Sequence, residues 1–213
     1  MSTVTFTGLL LGILLGMRHA LEPDHLAAVS TLVLESGNHR RGALLGAFWG
    51  IGHSLSLLVV GCLLALLHAE LPSWLGQLFE LLVAMMLLFL GVRAFVVALR
   101  PPVDEPAPAP RRRSLASRPF AFGIIHGLAG SGALTALVVA ELPSVSSRIA
   151  YIVLFGAGSI VGMACLSGLA GWPIARLGRR RATAAAVSML TGSLSFGLGL
   201  TLLWPFLSGA TIG

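Results

Sequence analysis

Lysine is absent from this chain. All fourteen basic residues are arginine, so there is no G-x-x-x-x-G-K-[ST] phosphate loop and no ATP hydrolysis by that route. Charge of either sign is scarce. It makes up 10% of the 213 residues, against about 25% in a soluble domain. Cysteine is nearly missing too. Cys62 and Cys165 both fall in apolar runs and neither sits in a C-x-x-C motif. They read as small buried hydrophobes. A transmembrane thiol–disulfide carrier is the alternative, and the unmatched depths of the two residues argue against it. The H-E-x-x-H motif of zinc proteases is absent, and the chain is read as a non-enzyme. Met1 to Phe6 carries no basic residue, and no small-residue cleavage site follows the first apolar run. No secretory signal is expected.

What remains is hydrocarbon. Hydrophobic residues account for 56% of the chain and mean hydropathy is +0.92. The apolar runs reach the roughly 20 residues that span a bilayer. The expected fold is an all-α membrane protein of about six transmembrane helices. The first runs from about Val4 into a polar cluster and resumes to Leu34. The others cover about Gly42 to Leu67, Trp74 to Leu99, Pro119 to Ala140, Ile149 to Trp172 and Ala182 to Phe206. Trp74, Trp172 and Trp204 near span ends read as interfacial anchors. His39 and His68 read as solvated span-end residues.

Residues 100–118 differ in kind. Pro101, Pro102, Pro106, Pro108 and Pro110 precede Arg111, Arg112 and Arg113. Proline at this density favours an extended, solvated linker. It separates a first three-helix repeat, residues 1–99, from a second, residues 119–213. The net charge of +6 could suggest nucleic acid, but the arginines sit between apolar spans. They therefore report topology, and no nucleic-acid partner is expected. Arg40 and Arg41, the linker arginines, and Arg176, Arg179, Arg180 and Arg181 fall on one side, against Arg148 on the other. That side is cytoplasmic by the positive-inside rule, which puts both termini outside.

The halves echo each other. Gly16-Met17-Arg18-His19-Ala20-Leu21 matches Gly123-Ile124-Ile125-His126-Gly127-Leu128, and Gly50-Ile51-Gly52-His53-Ser54 has a weaker echo in Gly156-Ala157-Gly158-Ser159. Three spans is an odd number, so the second half enters the membrane from the opposite face. The result is an inverted repeat, a common transporter architecture.

Arg18-His19-Ala20-Leu21-Glu22-Pro23-Asp24-His25 is the most polar stretch within a span. Ionisable groups in hydrocarbon are expensive and mark function by default. On an unbroken helix these groups do not converge. At about 100° per residue, Asp24 lies roughly 140° and His25 roughly 240° round from His19. A common site requires a break. Pro23 supplies one by removing a backbone donor, and it suits the first position of a second half-helix. Gly127, Gly130 and Gly132 would permit an equivalent break in the fourth helix. With His53 from the second span, His19, Asp24 and His25 make a mixed N/O set suited to Ni²⁺, Co²⁺ or Zn²⁺. Gly50 and Gly52 flank His53 and let another helix approach, and Trp49 is placed near it. Arg18, Glu22, Pro23 and His126 are supporting or gating candidates. Arg18 reads as a charge partner for Glu22 or Asp24, and Glu22 as a ligand, a partner of one, or a proton acceptor.

The spacing His19-x4-Asp24-His25, preceded by Arg18, resembles the H-x4-D-H signature of the nickel/cobalt transporter family (NiCoT). Gly52-His53-Ser54 resembles that family's second histidine motif on the next helix. The resemblance implies that His19, Asp24, His25 and His53 select the metal. The short chain, Glu22-Pro23 in place of Asp-Ala, and the Gly127–Gly132 stretch without an acidic motif look more like the compact urease-accessory branch of nickel permeases. The function so implied is secondary transport of Ni²⁺, with Co²⁺ as second candidate, across an inner membrane by alternating access. The metal is cargo, and no cofactor is expected. The expected partners are the ion, the bilayer and nickel-enzyme maturation proteins. The linker has no histidine, which favours uptake over the export performed by relatives with a His-rich loop. The alternatives are a metal exporter of the same family, a membrane-embedded metal-delivery scaffold, or a metalloenzyme.

Overall fold

Glycines and serines punctuate the apolar runs, and they set how closely the helices can pack. The computed structural model of the chain describes residues 3–33, 38–67, 71–99, 112–128, 142, 144–177 and 181–209. Every element among them is an α-helix: α1 Thr3–His19, α2 Pro23–Val33, α3 His39–Leu67, α4 Ser73–Leu99, α5 Arg112–Leu128, α6 Val145–Leu177 and α7 Arg181–Leu207. Asn38 caps α3, its Oδ1 accepting the Arg41 N–H at 2.8 Å.

Among the described residues, four stretches, His39–Leu64, Ser73–Leu99, Val145–Gly171 and Ala182–Leu207, are long and apolar enough to cross a membrane. The burial pattern is inside-out. Leu63, Phe89, Leu169, Leu190 and Trp204 are exposed, while His19, His25, His53, His126, Ser159 and Ser195 are buried. Water-soluble folds bury apolar side chains and expose charged ones. This distribution suits lipid as the outer solvent.

In lipid, apolar burial does little to drive helices together, so close van der Waals packing and interhelical hydrogen bonds do more of the work. α3 lies against α5 and α6, α1 against α6, and α4 against α7. Glycine makes these approaches possible. A Cβ on Gly123 of α5 would overlap the carbonyl of Trp49 in α3, and one on Gly16 of α1 would overlap the carbonyl of Phe155 in α6. Ser54 Oγ donates across α3–α6 to the Gly156 carbonyl at 2.9 Å. Ser195 Oγ donates across α4–α7 to the Leu87 carbonyl at 3.1 Å. The half-helix α2 touches α3, α4, α6 and α7. Its Ala27, Ala28 and Val29 share a core with Trp49, Val83, Leu87, Leu90 and Met163.

Two expectations need correction. α5 begins at Arg112, inside the stretch read as extended linker. No proline stands between Arg111 and Arg118, and Arg, Leu and Ala are good helix formers. Pro119 lies within α5 and is buried. Cys165 is exposed on α6 and Cys62 is half-buried on α3, both free, so neither is a core residue. Outward placement costs a small apolar side chain nothing in lipid. The break expected at Gly127, Gly130 and Gly132 falls at the end of α5 and beyond it. Gly130, Gly132, His68 and residues 100–111 lie outside the described residues.

The α3–α5 contact generates a prediction. Gly123→Ala should lower stability in detergent by roughly 1–3 kcal/mol, the usual cost of overpacking. Gly197→Ala is the control, because a Cβ there meets nothing within 4 Å. It should leave stability unchanged or raise it by up to about 1 kcal/mol through helix propensity. Thermal unfolding in one detergent compares the two, and equal midpoints would refute the packing argument.

Candidate metal centre

α1 ends at His19 and α2 begins at Pro23. The three residues between make a tight turn, with the Leu21 N–H donating to the Arg18 carbonyl at 2.9 Å and the Glu22 N–H to the His19 carbonyl at 3.0 Å. Pro23 takes the first helical position, where its missing donor is harmless. The Leu26 N–H then donates to the Glu22 carbonyl at 2.9 Å and starts the new helix. The turn brings His19 and His25 together, with ring centroids 4.3 Å apart.

α3 delivers His53 from its middle. His19 Nε2 and His53 Nε2 are 3.0 Å apart. A Cβ on Gly52 would overlap the carbonyl of Phe120, so this glycine allows α5 to approach on the same level. α5 delivers His126, whose ring lies 4.1 Å from that of His25. Asp24 stands between the two. Its Oδ1 accepts from His25 Nδ1 at 3.0 Å and also from the His25 backbone N–H at 2.9 Å. Its Oδ2 accepts from His126 Nε2 at 3.0 Å.

These side chains form two overlapping groups. His19, His25 and His53 bring one ligand atom each within 4.8 Å of one another, and Asp24, His25 and His126 do the same. All four histidines are buried, with exposures of 3%, 0%, 0% and 0% for His19, His25, His53 and His126. His25 Nε2, His53 Nδ1 and His126 Nδ1 have no hydrogen-bond partner among the described residues. Unsatisfied buried polar atoms are rare and costly. If Asp24 accepts the ring protons of His25 and His126, the opposite nitrogen of each neutral ring carries a lone pair. Imidazole and carboxylate donors gathered within 4.8 Å of one another in each triad are the kind of set a divalent transition-metal ion needs.

The surroundings hold the rings in place. Trp49 is fully buried and lies nearly parallel to His25, 6.0 Å away at 13°. It also meets His126 edge-on at 5.6 Å. Phe155 of α6 lies 5.4 Å from His19. The sequence reading placed Trp49 near His53 and did not single out Phe155. No local motif marks Phe155, although the Gly156–Ser159 echo beside it pointed to that stretch of α6.

His19, Asp24, His25 and His53 thus lie together, and His126 joins them as a direct partner of Asp24. Glu22 sits at the rim, with Oε1 2.9 Å from His19 Nδ1. That nitrogen has no hydrogen-bond partner among the described residues, so the two groups are close without an aligned hydrogen bond. Arg18 is exposed and joins no ion pair with Glu22 or Asp24 among the described residues. Its expected role as their charge partner is not seen, because the turn sends Glu22 back onto His19.

The chain is 34% identical over 202 residues to the urease accessory protein UreH of Bacillus sp. (strain TB-90), which covers 90% of this chain and 88% of that protein. It is 28% identical over 177 residues to the chloroplast protein FOR GROWTH AND FERTILITY 1 of Arabidopsis thaliana. It is 29% identical over 177 residues to FOR GROWTH AND FERTILITY 2 of the same plant. The chain spans about half of those two proteins, 48% and 46% of their lengths. No family model matches, and no solved structure matches.

Trp49 generates a second prediction. Its Nε1 has no hydrogen-bond partner among the described residues, so its role is the ring. Trp49→Phe keeps an aromatic ring and removes the unpartnered N–H, so it should lose only about 1–2 kcal/mol of stability in detergent. Trp49→Ala should lose about 3–5 kcal/mol to the cavity. Equal losses in the two variants would assign Trp49 a polar role instead.

Proposed function

The chain belongs to the family of the urease accessory protein UreH, and on that premise we propose that it is a membrane permease for Ni²⁺, with Co²⁺ as second candidate. The observation that carries the reading is the set of buried, converging histidines at a helix break. A site built only for structure would not bury three imidazole nitrogens without partners. Broken helices in transporters mark the substrate site. An accessory role to urease, a nickel enzyme, calls for nickel supply. The resemblance of His19-x4-Asp24-His25 and Gly52-His53-Ser54 to the nickel/cobalt transporter motifs supports the same cargo.

The helix packing supports an inverted repeat. Gly16 meets Phe155 and Ser159 as Gly123 meets Trp49 and His53. Gly158 meets Ile13 as Gly52 meets Phe120, and Gly156 meets Ser54 as Gly50 meets Ile160. Each of these three contacts recurs with the halves exchanged. Rocking one repeat on the other would expose the site to either face in turn. The arginine-rich loops face the cytoplasm in this reading, both termini lie outside, and transport is inward across the inner membrane. Because metal binding to imidazole and carboxylate displaces protons, uptake weakens as the outer medium is acidified.

The test is accumulation of radiolabelled Ni²⁺ in cells and in liposomes carrying the purified chain. His19→Ala and Asp24→Ala should each cut uptake at least tenfold, since even outer partners of a metal ligand are worth about 10–100-fold. Wild-type accumulation in both variants would sink the site. Metal bound by liposome-reconstituted protein but never delivered to the lumen would favour a delivery scaffold over a permease.

A further inference from the structure

The donors at the helix break are too many and too divided for one ion. His19, His25 and His53 gather on one side, and Asp24, His25 and His126 on the other, with His25 common to both. The two outer imidazoles of the first group approach within 3.0 Å of each other. His53 and His126 share neither group, and the 4.8 Å that bounds each group already exceeds the roughly 4.2 Å that two nitrogens at about 2.1 Å from one ion can span. No single ion position serves all five residues.

We propose that these are two alternative stations for one ion, and that the ion passes between them on His25. This rests on the permease reading and deepens it by giving the site two occupied states. The argument is one of lone pairs. A neutral imidazole carries a single lone pair on its ring nitrogens, so His25 completes one triad at a time. Its Nδ1 faces Asp24 at 3.0 Å, while its Nε2 has no partner among the described residues. With the ion on His19, His25 and His53, Asp24 is free to hold His25 and His126 by their ring protons. With the ion on Asp24, His25 and His126, the carboxylate becomes a ligand and His19 and His53 are left to each other. Double occupancy is disfavoured twice. His25 cannot serve both ions, and two divalent ions repel at about four times the energy of unit charges at the same separation.

Each station leans on a different helix. His53 belongs to α3, which packs on α6, and His126 belongs to α5. α1 and α2 carry His19, Asp24 and His25, whose side chains meet His53 through His19 and His126 through Asp24. A relative shift of α5 against α3 would therefore change which triad is the tighter.

Co²⁺ binding to the purified full chain tests this, because its visible ligand-field spectrum reports the donor set. Wild type should bind about one Co²⁺ per chain at saturation. His53→Ala should still bind about one, with the spectrum of an Asp/His/His set. His126→Ala should also bind about one, with a distinct all-imidazole spectrum. His126→Asn serves as a second variant, and monodisperse elution confirms folding in each. His25→Ala should lose binding at least tenfold, as should the His53→Ala, His126→Ala double variant. Two ions per wild-type chain would overturn the proposal. Superimposable spectra for the His53 and His126 single variants would also overturn it. Liposome uptake of Ni²⁺ is measured in parallel. Single-station variants that bind but transport at least tenfold less support the hand-off, and His126 variants that transport like wild type refute it. Absence of wild-type uptake defeats the permease reading by itself, and the spectra then decide the two stations alone.

Discussion

A helix that stops within an apolar environment must satisfy the backbone groups it frees, and lipid offers nothing to help. The arrangement of this molecule follows from how the chain meets that demand between His19 and Pro23. Leu21 and Glu22 return their N–H groups to the Arg18 and His19 carbonyls. Pro23 has no N–H to satisfy. Asp24 accepts the His25 N–H on its side chain. The same carboxylate then accepts from the His25 and His126 rings. One aspartate therefore completes the break, fixes His25, and ties α2 to α5. Its place in the first turn of α2 also puts a negative charge where the helix dipole favours one.

The break creates a short central half-helix, and its neighbours must come close enough to cover it. Glycine supplies the closeness. Gly52, Gly123 and Gly127 let α3 and α5 approach until a Cβ at any of them would collide with the opposite backbone. That approach sets His53 and His126 at a common level around His25 and closes the space with Trp49. Packing and chemistry are thus coupled. A side chain added to the α3–α5 contact moves a ligand as well as a helix, whereas the same change at Gly197 touches nothing.

Much of this was legible because membrane helices announce themselves by length. The stretches expected at Gly42 to Leu67 and Trp74 to Leu99 correspond to α3 and α4 within a few residues at either end. Pro23 marked the start of α2 because proline has a strong positional meaning. His126 could be picked out only from its offset to His19, since one histidine on an apolar helix carries no pattern. Its partner Asp24 is far away in sequence, and no spacing rule reaches that far. Arg18 was misjudged for a related reason. Adjacent charges suggest pairing, but the turn directs Glu22 onto His19 instead. The linker's helical end was hidden by the prolines before it, although the segment from Arg112 contains none until Pro119.

On the proposed repeat, the scaffold is symmetric and the chemistry is not. His19 beside Phe155 corresponds to His126 beside Trp49. His53, however, corresponds to Ser159, which is fully buried. Asp24 and His25 fall opposite Ser131 and Gly132 at the same sequence offset as His19 and His126. A fully symmetric site would repeat every ligand and surround the ion with imidazoles and carboxylates on all sides. Conduction demands binding strong enough to admit the ion and weak enough to release it. Leaving serine and glycine at the counterpart positions removes donors from one half. The asymmetry therefore fits an ion that is cargo. A resident metal would gain from a complete and closed shell, as structural zinc sites do, and this chain leaves its donors divided around a single shared histidine.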